Sequence, residues 1–391
     1  VGFLWFHLAS KVGAPLATEG TLFDKTWNAR YLRGPPRRRR RDSHDHASSC
    51  IVIGMRVGIA GASGYTGAEL LRLCAQHPQL DVVWASAATQ AGARVGDLYP
   101  SLDVAYPNLR LQEIDPAALD GLDLVFLALP HGEAQHLVAD VGKGVGIVVD
   151  LSADFRLRDP AAYPAWYGAE HAAPELLTAF VYGLPELFRA DLVGAELIAA
   201  PGCYPTAAAL ALAPFVRAGV IETTGVIVDA ASGVSGAGRR LVHTTQFGTA
   251  NEDFTAYGLL DHRHTPEIEQ ATDAQVLFTP HLAPMTRGIL ATCYARPTGP
   301  IGSAEPLALL RAAYEGEDFV RVAELPPSTK ATLGSNTAHL TARHDPRTGW
   351  VIVLCALDNL VKGASGQAVQ CANLALGLPE ATGLSTIGVY P

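Results

Sequence analysis

The chain has 391 residues, of which 49% are apolar, 7% aromatic and 38 glycine, and its formal net charge is −9. That length allows about two or three domains with a large buried core, and the composition excludes disordered and fibrous classes in favour of an Ala/Val/Gly-rich α/β enzyme. No apolar run reaches the ~18–20 residues of a membrane helix, and six scattered cysteines without CxxC spacing argue against a disulfide framework or zinc knuckle and fit a reducing cytoplasm.

Residues 1–54 stand apart. Their nine Lys/Arg and four Asp/Glu give +5, which leaves −14 for the remainder. An acidic remainder gives no electrostatic reason to expect nucleic-acid binding. The run PPRRRRRDSHDHASS (35–49) has no helical or strand period and too little apolar surface to order itself. The opening VGFLWFHLAS is similar to the apolar part of a signal peptide, but no basic residues precede it. The segment reads as a disordered extension, with an Arg-rich contact for an acidic partner as the rival reading.

From Met55 the pattern becomes regular. MRVGIAG (55–61) reads as a buried strand, TGAELLRLCAQH (66–77) as a helix and LDVVWASAA (80–88) as a second strand. DLVFLALP (123–130) and GIVVDLS (146–152) are further apolar strands, with the helical HGEAQHLVADV (131–141) between them. Apolar strands alternating with helices predict a parallel sheet covered on both faces. Between the first strand and first helix, Gly61, Gly64 and Gly67 are spaced GxxGxxG. Glycine lets the backbone approach a pyrophosphate, whose charge the open N–H groups of a helix start can bind. The second strand ends in ASAATQAG, without the acid that usually holds the ribose hydroxyls of NAD. That favours NADP, with Ser86, Thr89 or Arg94 available to a 2′-phosphate.

Further on, ELIAAPG (196–202) reads as a strand, and Cys203 opens a helix running to about Arg217. A thiol at a helix N-terminus feels the positive end of the dipole, which favours thiolate. Cys74, Cys293, Cys355 and Cys371 fall within helices or strands and read as buried filler. A thiolate nucleophile needs an acid/base partner. His262 and His264, in HRHTPEI, are the leading candidates, with His131 and His281 unranked behind them. A metal pair is disfavoured because no carboxylate or cysteine joins them at ligand spacing. Asp150 and Asp154, in DLSADFRL, read as a turn-stabilising and a loop-ordering acid rather than a catalytic pair. Beyond residue 222 the strands have few helices between them, which predicts a second, mixed or antiparallel domain. A last helix (360–377) is free to return to the first.

Nine strings, in order over nearly all of 55–391, resemble the N-acetyl-γ-glutamyl-phosphate reductases of arginine biosynthesis. They are GASGYTGAEL, ALPHG, DLSADFRL, YGLPE, PGCYPTA, SGVSGAGR, HRHTPEI, PHLAPMTRGI and NLVKGASGQA. The resemblance implies an α/β protein. A Rossmann-type NADP-binding domain would span 55–202, completed by 360–391. An α+β catalytic and oligomerisation domain of the glyceraldehyde-3-phosphate dehydrogenase-like type would span 203–359. It implies Cys203 as nucleophile and His262 as acid/base, with Arg156, Tyr257, His264, Glu267 and Arg287 around the substrate. The cofactor would be lined by Gly61, Ser63, Gly64, Tyr65, Thr66, Gly67, Pro130, His131, Gly132, Ser152, Ser232, Gly233 and Asn359. The implied chemistry is attack of the thiolate on an acyl phosphate, loss of phosphate, and reduction of the thioester by NADPH to an aldehyde. It also implies a cytoplasmic homodimer or homotetramer that acts on a small molecule.

Alternatives stay open on the sequence. A carrier-linked aminoadipate-phosphate reductase of lysine biosynthesis would share the mechanism, but its family resembles GCNAT where this chain has GCYPT. Aspartate-semialdehyde dehydrogenase fits HRHTPEI less well. A non-catalytic NADP sensor would lack a reactive thiol, and a cysteine hydrolase would not need the glycine loop.

Overall fold

A computed structural model describes residues 54–141 and 144–391. The expected N-terminal extension lies outside the described residues. Six short strands form a parallel sheet: β1 (Met55–Ala60), β2 (Leu80–Ala85), β3 (Leu124–Leu127), β4 (Ile147–Asp150), β5 (Val181–Tyr182) and β6 (Leu197–Ala199). Their order is β2-β1-β3-β4-β6-β5. Both β3 (LVFL) and β4 (IVVD) are buried along their whole length, as the unbroken apolar runs predicted. The helices of this half are α1 (Tyr65–Cys74), α2 (Val95–Leu98), α3 (Ala134–Val141), α4 (Ala162–Tyr167) and α5 (Pro185–Leu192).

Helix α6 (Cys203–Arg217) leads from the parallel sheet into the second half. It is apolar all round, and Ala207–Ala213 are each 0–1% exposed, so it runs through the core rather than along the surface. Pro214 lies in its last turn and does not stop it. The remaining helices are α7 (Phe247–Ala250), α8 (Thr265–Thr272), α9 (Glu305–Ala313) and α10 (Gly366–Ala375).

Seven strands make the second sheet: β7 (Val226–Gly233), β8 (Thr255–Ala256), β9 (Val276–Ala283), β10 (Ile289–Ala295), β11 (Val320–Val322), β12 (Ala338–Asp345) and β13 (Trp350–Leu357). The order is β11-β12-β13-β10-β7-β9-β8, mixed in sense. Alternation along these strands buries Val228, Cys293 and Val353 in the core shared with α6. In the opposite sense, Leu277, Ile227, Tyr294 and Ile352 lie in register across β9, β7, β10 and β13, on the less buried face.

The sequence pattern had suggested one uniform helix over 360–377, and the structure divides it. Residues Val361–Ser365 form a single π-helical turn before α10, which then packs on α1, α5 and β4. The turn docks on the glycine loop through Ser365 Oγ, which donates to Thr66 O at 2.9 Å.

Candidate active site

The glycine loop sits between β1 and α1. Gly61 has φ +85°, and a Cβ there would fall 2.3 Å from Ala128 O. A Cβ on Gly67 would meet Gly61 O at 2.4 Å and Ala62 Cα at 2.5 Å. These two glycines are required by the fold itself. Gly64 is different: as N-cap of α1 it has ordinary backbone angles, and its nearest neighbour would be Gly61 O at 3.5 Å. The start of α1 has no side-chain cap and no acid in its first turn. Open N–H donors at the positive end of a helix, beside a glycine the protein does not need, fit a dinucleotide pyrophosphate.

The carbonyl of Ser63 accepts from Tyr99 Oη at 2.7 Å and from Arg239 at 3.2 Å, which ties the loop to the second half. Tyr65 lines a cleft of about 300 Å³ together with Ser235, Arg239 and Arg287. At the end of β2, Ser86 is buried and Thr89 is exposed. Arg94 is spent on Asp97 (3.3 Å), Asp103 (2.6 Å) and Pro107 O (2.7 Å), so of the three candidates for a 2′-phosphate only Thr89 faces out with no partner among the described residues.

Cys203 is the first residue of α6 and the one cysteine among the described residues that is not fully buried. It lines a cavity of about 490 Å³ with Trp166, Tyr204, Ser232, Tyr257 and the 261–264 segment. Burial pushes its thiol up to about 11, outweighing the opposing pull of Arg156 and the Tyr204 N–H. The sequence had pointed to a favoured thiolate. In the protein, desolvation at the mouth of α6 exceeds what the helix start returns. Burial, aided by Arg263, lowers His262 to about 4, so its imidazole is neutral at pH 7. His262 Nδ1 accepts the backbone N–H of His264 at 3.1 Å, which leaves the proton of the neutral ring on Nε2. The ring is caged edge-on by Tyr204, Tyr257 and Phe278, at 5.3–5.8 Å between centroids. Tyr257 Oη donates to Tyr204 Oη at 3.2 Å, and Tyr204 Oη to His281 O at 3.0 Å. His264 is buried and held well below its usual pKa by burial first and by His262 second.

Several residues expected on ligands are instead placed behind the site. Glu267 is 0% exposed. Its Oε1 accepts from Gly202 N (2.8 Å) and Tyr182 Oη (2.9 Å), and its Oε2 lies 3.4 Å from Arg156. Arg156 donates to Ala200 O and Leu151 O, both at 2.9 Å. Both residues grip the strand end that presents Cys203, and neither lines the cavity. Arg287 is also outside it, pairing with Glu69 at 2.8 Å and Asp358 at 3.5 Å.

Ser152 is buried, donating to Asp150 at 2.8 Å and accepting from Asp154 N at 3.1 Å. Asn359 binds Gly288 N at 2.7 Å and Ser235 Oγ at 2.9 Å, and so shapes the loop after β7. Gly233 packs where a Cβ would lie 2.7 Å from Thr286 O, while Ser232 stays on the cavity wall. Asp154 accepts from Gly132 N (2.8 Å) and Gln135 N (3.1 Å) and lies 2.6 Å from His131 Nδ1, so it orders the Pro130–His131–Gly132 loop. Sequence reasoning missed Trp166 and Arg263 in the cavity, and Gly363, whose Cβ would come 2.8 Å from Cys203 Cβ. Arg263 lay in plain view between two marked histidines, whereas nothing local distinguishes Trp166.

Two family models match: a semialdehyde dehydrogenase NAD binding domain over residues 56–195 and a semialdehyde dehydrogenase dimerisation domain over 203–359. N-acetyl-gamma-glutamyl-phosphate reductase from Symbiobacterium thermophilum is 51% identical over 348 residues, covering 86% of this chain and 99% of its own. The chain belongs to the N-acetyl-γ-glutamyl-phosphate reductase family. A second member, from Pelotomaculum thermopropionicum, is 47% identical over 87% of this chain and all of its own length. Among solved structures, aspartate semialdehyde dehydrogenase II from Vibrio cholerae has a TM-score of 0.60 at 18% identity, over 83% of this chain and 98% of its own. The Candida albicans aspartate semialdehyde dehydrogenase with NADP has 0.61 at 16%, over 82% and 98%. Identities this low speak for the fold alone.

Proposed function

We propose that this member of the family reduces N-acetyl-γ-glutamyl phosphate with NADPH to N-acetylglutamate 5-semialdehyde and phosphate, in arginine biosynthesis. The observation that carries the reading is Cys203 at the start of α6, in one cavity with His262. Cys203 Sγ attacks the acyl carbon, phosphate departs, and the substrate is held as a thioester. Because burial keeps the proton on the thiol, it leaves as the sulfur attacks rather than beforehand, and the departing phosphate oxygen takes it. NADPH supplies the hydride that reduces the thioester. His262, with its proton on Nε2, donates to the carbonyl oxygen as negative charge grows there, and the start of α6 adds its N–H groups. Collapse of the thiohemiacetal returns the hydroxyl proton to His262, frees the aldehyde and expels the sulfur as thiolate, which takes up a proton from solvent to restore the thiol.

In this reading Tyr257 and His264 line the substrate, while Glu267 and Arg156 position Cys203 without touching it. The α1 loop, from Gly61 to Gly67, seats the pyrophosphate. A homodimer or homotetramer is part of the reading, supported by the apolar row Leu277, Ile227, Tyr294 and Ile352 on the less buried face of the second sheet. A place in the cytoplasm belongs to it too; no helix among the described residues is long and apolar enough to cross a membrane.

The test is NADP- and phosphate-dependent oxidation of three aldehydes. N-acetylglutamate semialdehyde should be turned over far faster than aspartate or aminoadipate semialdehyde. A preference for either of the others would replace the reading with that activity.

A further inference from the structure

Arg156, Arg263 and Arg287 differ in how far their charges are already committed. Arg156 is buried and committed to Ala200 O, Leu151 O and Glu267. Arg287 is committed to Glu69 and Asp358, in the other cleft. Arg263 has no hydrogen bond or ion pair among the described residues, and it is the one Arg or Lys lining the Cys203 cavity. Its charge reaches the surrounding walls: after burial, it is a contributor at His262, His264, Tyr257 and Tyr167.

A cavity that takes up a carboxylate must offer it a cation or a set of hydrogen-bond donors in place of the lost hydration, and a guanidinium supplies both. Resting on the functional reading above, we infer that Arg263 is the specificity residue for the substrate, binding its α-carboxylate while His262, next in the chain, faces the reacting carbonyl. The acyl substrate carries that carboxylate three carbons from the carbon Cys203 attacks. The anchor therefore sets which acyl chains place their carbonyl at the sulfur, a role that the buried Arg156 and the paired Arg287 are not free to take.

The reverse reaction separates this from binding of the phosphate, because aldehyde and inorganic phosphate are then separate substrates. Arg263→Gln should raise the KM for N-acetylglutamate semialdehyde by about 10- to 100-fold, the value of a charge-assisted hydrogen bond, and leave the KM for inorganic phosphate unmoved. Arg263→Lys should recover part of the loss. The α-carboxamide of the same aldehyde should be a poor substrate for the wild type, and the variant should no longer discriminate against it. A variant that leaves the aldehyde KM unchanged, or raises the phosphate KM as much or more, overturns the inference. Arg263 is exposed, with no partner among the described residues, so folding is not at stake. Wild-type enzyme inert toward the aldehyde would instead bring down the functional reading on which the inference stands.

Discussion

Helices α1 and α6 both follow strands of the parallel sheet, and each has a glycine N-cap, Gly64 and Gly202, without a side-chain cap. At α1 the site is made by backbone alone: two glycines pack the turn, a third leaves room, and no acid stands in the first turn. At α6 the space is filled. A Cβ on Gly202 would strike His264 Nε2 at 2.5 Å and Arg156 at 2.9 Å, and the Gly202 N–H is already held by Glu267. The first helix start is left open for an anion to complete. The second is packed tight at Gly202 and presents a sulfur to the cavity.

The contrast can be broken most severely at the sulfur. Cys203→Ser keeps nearly the same volume but replaces a good nucleophile and leaving group with a poor one. Turnover should fall by about 10⁴-fold or more. NADPH affinity, read from quenching of its fluorescence, should stay within about twofold, because the seat at α1 shares no atom with the thiol. Loss of NADPH binding in this variant would mean that the two helix starts are not independent.

The glycines of α1 sharpen the comparison further. Gly67→Ala forces a methyl group into Gly61 and Ala62. It should cost about 1–3 kcal/mol of stability, measured by denaturant unfolding, and weaken NADPH as well. Gly64→Ala should leave stability within about 0.5 kcal/mol, since the protein leaves space there, yet raise the Kd for NADPH by about tenfold. If both variants lost stability equally, Gly64 would be a folding glycine and not a seat for the cofactor.

The same contrast explains what the sequence could tell. The α1 loop was legible because its parts lie within seven residues, and its spacing after an apolar strand has few other physical meanings. The parallel sheet was legible for a similar reason, since LVFL and IVVD are buried on both faces. Cys203 was legible as a helix start, but its proton state was not. That depends on the burial of α6 and on Arg156 and Glu267, from 47 residues before it to 64 after. Glu267 was expected on the substrate because HRHTPEI reads as one motif. In the fold, α8 begins at Thr265 and turns the glutamate inward to Gly202, while Arg263 stays on the cavity side. Arg287 likewise lies outside the Cys203 cavity, and its partner Glu69 is 218 residues distant. A local motif names residues that cluster, but the side each one faces is decided by partners far along the chain.

The gentlest test asks whether α6 stores its nucleophile. A free thiolate at a helix start would react with iodoacetamide at a rate already level below about pH 8. Here burial pushes Cys203 up to about 11, and His262, neutral above about 4, carries no positive charge to stabilise the anion. The rate in the empty enzyme should therefore climb about tenfold per pH unit from 7 to 10, because the thiolate fraction does so below the pKa. The other cysteines among the described residues are fully buried and should stay silent in the native protein; the rate of the Cys203→Ser variant, subtracted as background, removes the contribution of Cys50, which lies outside them. A plateau near neutrality would show the dipole of α6 outweighing desolvation, and would make the two helix starts alike in holding an anion ready. A slope of one through that range means that α1 waits for its anion from outside, whereas α6 makes its own only as the substrate arrives.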